Sequence, residues 1–334
     1  MTIRTMNAIT VKEIPVVREL NVDLGNLELK GCGFNENDEL ILKTLHNKIL
    51  AGSEDTLSPD ARLLEVFGRK LWIGEGSPNN NVAKYDREFL EEQVLAMACE
   101  VYPSDDILRI DLKLGLPPAQ YKEISYRDKL ISKFKINEEY NFKIRNNGKW
   151  INKTLIINTV DVKIEGYSAF ISISEDVQYQ GRDILALDIG GNTSDAIRFA
   201  WSHKYGQFVA NTPYTVEKGQ IDMISDIQQK INSINGADIS ADKIDEGILY
   251  DVNEIPYGDY NYKISDYICA ANDTAEMIIN QIQNKFGSLD NYEVCLFGGG
   301  HKLFNKLKHD KIRHQIDICD ADRFYANCIG YSMQ

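Results

Sequence analysis

The feature that most constrains the fold of this chain is a short turn that occurs twice. An acidic residue, one further residue and a glycine end an apolar run in Asn21-Val22-Asp23-Leu24-Gly25 and in Leu185-Ala186-Leu187-Asp188-Ile189-Gly190. Glycine lets a backbone approach a ligand closely, and successive N–H groups in such a turn bind anions. Asp23 and Asp188 lie 165 positions apart. The repetition therefore predicts two halves that grip one polyphosphate from opposite sides.

The first turn has two interpretations. Gly25 permits close approach to a phosphate, Asn26 can donate through its amide, and Lys30 is spaced to return to the same anion. The alternative is an ordinary β-hairpin turn whose lysine faces solvent. This segment by itself does not decide between the two.

The second turn has a more specific residue pattern than the first, because the segment from Asp188 contains Gly190, Gly191, Thr193 and Asp195 within eight residues. A buried strand that ends in this pattern can place Asp188 beside Mg²⁺, an ion that keeps most of its waters and takes few protein carboxylates. An ordinary loop remains the competing interpretation.

A third glycine-rich segment, Gly298-Gly299-Gly300, follows a predicted strand over 293–297. A backbone without side chains is suited to lie flat against a nucleobase, a ribose or an α-phosphate. Any tight turn from a strand to a helix could use the same triplet, so it is weak evidence alone.

Length and composition restrict the class of protein. A chain of 334 residues exceeds the size that one core usually serves, which predicts two domains. The net charge of −13 argues against a general nucleic-acid surface. No apolar run approaches the ~20 residues of a membrane span, and the first 21 residues lack a secretion signal. We expect a soluble protein of the cytoplasm.

Cysteine and histidine spacing gives no sign of a structural metal site. The six cysteines are widely spread without a C-x-x-C pair, so we expect reduced, buried thiols.

Apolar periodicity predicts an alternation of strands and helices along both halves. Strands are predicted over 40–45, 107–114, 184–187 and 294–297, hairpins over 64–73 and 140–157, and helices over 88–101, 221–234 and 264–286. We expect the polar segment 250–262 to be a loop or the edge of a subdomain. The alternation favours mixed or parallel sheets flanked by helices.

The order of the three glycine-containing turns resembles the phosphate-1, phosphate-2 and adenosine motifs of the actin, heat-shock chaperone and sugar kinase superfamily. Within it the chain is most similar to the bacterial actin-like plasmid-segregation proteins, the ParM group. The resemblance runs from Val22 to Tyr331 and includes Gly74-Glu75-Gly76, Leu114-Gly115-Leu116-Pro117 and Tyr325-Ala326-Asn327-Cys328-Ile329-Gly330-Tyr331.

This resemblance implies an α/β, actin-like (ribonuclease H-like) fold of duplicated domains, each a mixed sheet flanked by helices, with a nucleotide cleft between them. Domain I would comprise residues 1–183 and 315–334, with a smaller subdomain near 33–85. Domain II would comprise residues 184–314, with a smaller subdomain near 211–263. The segment Thr2 to Leu20 precedes the first motif as an extension, and it is expected to be an edge strand, a contact with a neighbouring subunit or a disordered tail.

The resemblance also implies site residues. ATP, or GTP, would bind with Mg²⁺, which Asp23 and Asp188 would hold through water. Glu165 would orient the attacking water, and Asp188 would be the second catalytic residue. The expected nucleotide-binding residues are Asp23, Gly25, Asn26, Lys30, Gly190, Gly191, Asn192, Thr193, Asp195, Glu217, Gly219, Gln220, Gly298, Gly299, Gly300 and His301.

The implied function is a head-to-tail filament that assembles with nucleotide, disassembles after hydrolysis and segregates plasmid DNA through a DNA-binding adaptor. No direct nucleic-acid or membrane contact is expected. The alternative is a sugar-type kinase of the same superfamily, which needs a general base for the acceptor hydroxyl. The sequence offers no convincing residue for that role.

Overall fold

The structure is a computed structural model that describes residues 16–52, 61–80, 83–146, 148–234, 236–252 and 254–334. Residues 1–15 of the predicted N-terminal extension lie outside this range. Residues 17–20 belong to the first strand, where they pair on one side with residues 109–112, and the expected role of the whole extension stays a prediction.

The first half of the chain forms a mixed sheet and four helices. The strands are β1 (Val17–Leu24), β2 (Glu28–Phe34), β3 (Leu40–His46), β4 (Lys48–Ala51), β5 (Arg62–Val66), β6 (Arg69–Ile73), β7 (Ser77–Pro78), β8 (Ile107–Leu116), β9 (Glu139–Asn146) and β10 (Lys149–Ile164). The helices are α1 (Leu90–Val101), α2 (Pro118–Tyr121), α3 (Ile124–Ile131) and α4 (Tyr167–Ile171), and a 3₁₀ turn, Lys84–Asp86, precedes α1.

The strands pair in the order β3-β2-β1-β8-β10-β9-β5-β6-β4-β7. β8 is parallel to both β1 and β10, and the other neighbours are antiparallel. The core follows from alternation: Leu108, Ile110 and Leu112 of β8 are buried on the face that helix α1 covers with Val94. Each such buried side chain contributes about 1.5–3 kcal/mol.

The second half forms a smaller mixed sheet with its own core. Its strands are β11 (Asp183–Ile189), β12 (Ser194–Ser202), β13 (Gln207–Ala210), β14 (Tyr214–Val216) and β17 (Tyr292–Phe297), and a separate hairpin contains β15 (Glu254–Tyr257) and β16 (Tyr260–Lys263). The helices are α5 (Gln220–Asn232), α6 (Ala241–Leu249), α7 (Asn272–Phe286), α8 (His301–Lys308) and α9 (Asp320–Ser332). Further 3₁₀ turns are Ile264–Asp266, Ile268–Ala271, Leu289–Asn291 and His309–Lys311.

Two predicted segments differ from the structure. The helix predicted from residue 264 is α-helical only from Asn272, because the preceding 3₁₀ turns bury Ile264 and Ala271 in the core that α5 and α6 share. The segment 250–262, predicted as a loop or the edge of a subdomain, contains most of the β15–β16 hairpin, whose turn includes Gly258 at a φ of +57°. The segment is rich in polar residues, so it lacks the clear alternation of apolar and polar residues that predicts a strand.

The two sheets each place a hairpin at the same central region. The β1–β2 hairpin carries the first predicted turn, and the β11–β12 hairpin carries the second. Helix α9 packs on β1, β2 and β8 and also contacts β17, so it lies between the two halves. The mixed sheets flanked by helices confirm the predicted architecture of each half, while the predicted domain boundaries stay a prediction.

Cysteine burial follows the sequence-based expectation only in part. Cys32, Cys295 and Cys328 are buried and Cys99 is half-buried, but Cys269 and Cys319 are exposed; all six are free thiols. Within the described ranges, no helix is long and apolar enough to span a membrane.

Candidate functional site

A cavity of about 320 Å³ lies where the β1–β2 and β11–β12 hairpins face each other. The two turns approach closely, because a Cβ placed on Gly191 would lie 2.8 Å from the Cβ of Asn26. Most of the predicted site residues line this cavity: Asp23, Gly25, Asn26, Lys30, Glu165, Asp188, Gly190, Gly191, Asn192, Thr193, Asp195, Glu217, Gln220, Gly298 and Gly299.

Three predicted site residues lie behind the cavity wall. Gly219 abuts the second turn, where a Cβ would meet the Gly190 oxygen at 2.5 Å. Gly300 donates its N–H to the Ile189 oxygen at 2.9 Å. His301 is buried, with Nδ1 2.8 Å from the Gly298 oxygen. The structure therefore places these three where they support the glycine turns, and His301 does not face the cavity.

Three of the buried carboxylates that line the cavity come from separate elements. Asp23 lies near the end of β1, Glu165 follows β10, and Asp188 lies near the end of β11. Lys84 Nζ lies 3.2 Å from Asp23 Oδ1 and is also paired with Glu165. Asn327 Nδ2 donates to Asp188 Oδ2 at 2.6 Å. Charged groups are rarely buried without such partners, so the arrangement marks a site.

Burial and neighbouring charges shift the protonation of this cluster in different directions. Burial by itself raises the pKa of Asp23. Lys84 and Lys30 together lower it by more than burial raises it, so the pKa lies below its usual value. Burial raises the pKa of Glu165 to about 8, against the pull of Lys84. Burial and then the nearby Asp23 raise the pKa of Asp188. The three carboxyl groups of this cluster thus outnumber the two ammonium groups, those of Lys84 and Lys30, that lie near them.

Lys84 is one residue of the candidate site that the sequence analysis missed. Burial lowers its pKa, but Glu165 and Asp23 raise it more, so the ammonium group stays charged. Lys84 lies in the 3₁₀ turn before α1, outside any glycine-containing motif. No local signal in the sequence distinguishes it from a surface lysine.

Arg87, also missed, fixes the first turn. Its Nη1 donates to the backbone oxygens of Leu24 at 2.8 Å and Gly25 at 3.2 Å, and its Nη2 donates to Asn26 Oδ1. Burial lowers the pKa of Arg87 to about 10, which keeps it charged at neutral pH. The guanidinium therefore holds the carbonyl side of the turn in place.

Helix α5 fixes the second turn. The N–H groups of Gln220 and Ile221 donate to the Gly190 and Gly191 oxygens, each at 2.9 Å. Asp195 accepts from Thr215 Oγ1 at 2.5 Å, and burial raises its pKa to about 7. The first N–H groups of α5 thus position the turn rather than point into the cavity.

Other residues that line the cavity have a different character. Phe324 lies under Lys30, whose Nζ is 4.3 Å from the ring centroid. Gln220 Nε2 donates to Asp245 Oδ1 at 2.5 Å, and burial raises the pKa of Asp245 to about 6. Leu249 adds an apolar surface. The cavity wall thus combines lysines and glycine-containing turns with apolar and acceptor groups.

Two mixed sheets each contribute a carboxylate-bearing hairpin to one cavity, and comparison with known proteins shows that this arrangement is an actin-like fold. A family model described as the C-terminal part of the archaeal MreB-like actin homologue matches residues 186–309. No curated protein matches the chain in sequence.

Solved structures of actin homologues match nearly the whole chain. A 15-stranded ParM filament from Clostridium botulinum has a TM-score of 0.73 and 20% identity, covering 94% of this chain and 97% of that one. The archaeal actin homologue Ta0583 has a TM-score of 0.72 and 16% identity, covering 94% and 98%. The same homologue in complex with ADP gives a TM-score of 0.68 at 16% identity, with the same coverage. The predicted actin-like fold is confirmed, with ParM proteins among its structural neighbours.

Proposed function

We propose that this chain is a nucleoside triphosphatase, with ATP or GTP as substrate, that assembles into actin-like filaments. The observation that carries the proposal is the meeting of two glycine-containing hairpins from two sheets over one cavity with three buried carboxylates. A cavity of about 320 Å³ is within the range of small-molecule sites, about 300–1,000 Å³.

The charges in the cavity suit a polyphosphate. Lys30 and Lys84 supply two ammonium groups, and the two turns supply backbone N–H groups with little side-chain obstruction. The acceptors of Gln220 and Asp245 on the cavity wall suit the hydroxyl or amino groups of a nucleoside.

The donor set fits Mg²⁺ held mainly through water. Asp23 and Asp188 are buried carboxylates on the cavity wall, and among the described residues no group of three or more such side chains could bind a metal directly. Mg²⁺ needs only one or two carboxylates when it also binds phosphates and water. Bound there, the ion would neutralise phosphate charge.

We assign the orientation of the attacking water to Glu165, with Lys84 beside it. Positioning and charge neutralisation supply most of the catalysis of phosphoryl transfer, so a strong base is unnecessary. Glu165 and Lys84 form a buried pair on the first-sheet side, facing Asp188 from the second sheet.

A cavity whose walls belong to two halves of the molecule would couple its occupant to closure of the molecule. Loss of the terminal phosphate would remove a tie between the hairpins and shift the balance between closed and open forms. Head-to-tail contacts that do not close into a ring generate filaments. In this proposal the filaments segregate plasmid DNA in the cytoplasm through a DNA-binding adaptor, since a net charge of −13 disfavours direct contact with DNA.

Sedimentation with nucleotide tests this proposal. The purified chain is centrifuged over a range of protein concentrations with Mg²⁺ and either ATP, GTP, ADP or no nucleotide. We expect a pellet only above a critical concentration and only with a triphosphate, accompanied by phosphate release. ADP production that depends on an added sugar, without a pellet, would instead support the kinase alternative.

A further inference from the structure

We propose that Asn327 is a positioning residue for nucleotide hydrolysis, which fixes Asp188 and links it to the segment that carries Glu165. This inference rests on the function proposed above.

The amide of Asn327 is bound at both ends. Its Oδ1 accepts the N–H of Gly166 at 2.9 Å, and its Nδ2 donates to Asp188 Oδ2 at 2.6 Å. A backbone N–H can only donate and a carboxylate only accepts, so the amide has one orientation. Asn327 is 7% exposed, which shields both hydrogen bonds from water.

These two bonds connect the two halves of the site. Gly166 follows Glu165 at the end of β10 in the first sheet, whereas Asp188 belongs to β11 in the second. One side chain thus bridges the two walls of the cavity and holds Asp188 at a fixed position relative to the backbone next to Glu165.

Contacts of helix α9 with its neighbours hold the backbone around Asn327 in place. Gly330 packs so closely on α4 that a Cβ there would lie 1.8 Å from the Ser168 oxygen. On the other side, Cys32 Sγ of β2 donates to the Cys328 oxygen at 3.1 Å. Because the residues around Asn327 are held by both neighbours, its amide cannot follow Asp188 if Asp188 moves.

Asp188 itself has little freedom. Its Oδ2 is held by Asn327, and its Oδ1 lies where a Cβ on Gly298 would come within 2.3 Å. Removing the Asn327 donor frees the carboxylate to rotate away from Gly298. Removing a group that orients a metal-site carboxylate in this way typically lowers metal affinity or activity by about 10–100-fold.

The test compares Asn327→Leu with Asn327→Ala in the full chain. The leucine variant is nearly isosteric and adds no charge next to the carboxylates, but it has no donor for Asp188 and no acceptor for Gly166. Gln334→Ala is the matched control, because it removes an amide just beyond the end of the same helix, where Nε2 contacts Ser168 Oγ at 2.7 Å.

For both Asn327 variants we expect kcat to fall by about 10–100-fold and the Mg²⁺ concentration for half-maximal rate to rise by about tenfold. The KM for nucleotide at saturating Mg²⁺ should change less than about threefold, because the lysines and the turns are untouched. Gln334→Ala should retain wild-type values.

Wild-type kcat and Mg²⁺ dependence in both Asn327 variants would overturn the proposal. So would a pair of variants that do not fold, since Asn327 would then have a structural role. A wild-type chain that hydrolyses no nucleoside triphosphate would contradict the proposed function itself, a result distinct from either of these.

Discussion

At the scale of single residues, the site depends on charges that are buried together. Lys84 neutralises Asp23 and Glu165, and each of the three is less than 10% exposed. A buried ion pair adds little net stability, but loss of one partner leaves an uncompensated charge. Variants that remove only one of these three charged side chains should therefore have a lower free energy of unfolding.

Lys84→Met should lower the free energy of unfolding by about 3–5 kcal/mol, because it leaves two buried carboxylates without their cation. Adding Glu165→Gln should recover part of this loss. Urea unfolding measures both. Lys129→Met is the control, since Lys129 pairs with Asp86 at the surface and should change stability by less than about 1 kcal/mol. Equal effects at the two lysines would contradict the assignment.

The pH dependence of stability tests the raised pKa values of Glu165, Glu28, Asp195 and Asp245, which burial places at about 8, 7, 7 and 6. Between the unfolded values of 3.8 to 4.5 and these folded values, the folded chain binds more protons than the unfolded chain. Its free energy of unfolding should therefore fall as the pH rises from about 5 to about 8.

Urea unfolding of the nucleotide-free chain at pH 5.5, 6.5 and 8 measures this slope. The lowered pKa of Asp23 does not oppose this slope, because it changes the free energy of unfolding only when the pH falls towards and below the usual value of 3.8. Glu165→Gln should reduce the slope. A stability that rises over this range would show that these carboxyls are ionised in the folded chain.

At the scale of elements, local sequence predicted the parts whose geometry is local. The turns after Asp23 and Asp188 were predictable as turns, because glycines that follow an apolar run favour a tight change of chain direction. The helix from residue 264 was wrong in its first part, since packing on α5 overrides local helical periodicity there. Lys84 was missed because its role depends on β1 and β10, which are distant in sequence.

Gly191→Val tests whether the two hairpins must approach each other. The added side chain would begin 2.8 Å from the Cβ of Asn26 and would separate the turns. We expect nucleotide affinity to fall at least tenfold, about 1.4 kcal/mol, while melting without nucleotide changes little. Titration calorimetry measures the affinity. Gly206→Asn is the control, because this glycine lies in open space at a φ of +63° that asparagine tolerates. Unchanged affinity in Gly191→Val would contradict the two-sided grip.

At the scale of the whole molecule, the contacts that join the two walls of the cavity include an ion pair and a side-chain hydrogen bond to a backbone oxygen. Lys48 pairs with Asp242 at 2.7 Å, and Asn192 Nδ2 donates to the Asn80 oxygen at 3.3 Å. The ion pair is partly exposed, and such pairs contribute about 0–1 kcal/mol. Closure of the molecule should therefore depend mainly on what occupies the cavity, which is how hydrolysis would control assembly.

Glu165→Ala separates assembly from hydrolysis at this scale. The variant keeps both hairpins and both cavity lysines, so nucleotide should still bind and filaments should still form, but without Glu165 to orient water we expect phosphate release to slow by at least tenfold. Filaments formed with a limited amount of ATP or GTP should then persist correspondingly longer, as followed by light scattering and sedimentation. Glu175→Ala, at an exposed position, should disassemble at the wild-type rate. If Glu165→Ala filaments disassemble at the wild-type rate while phosphate release is slow, subunit loss is not governed by hydrolysis at this cavity.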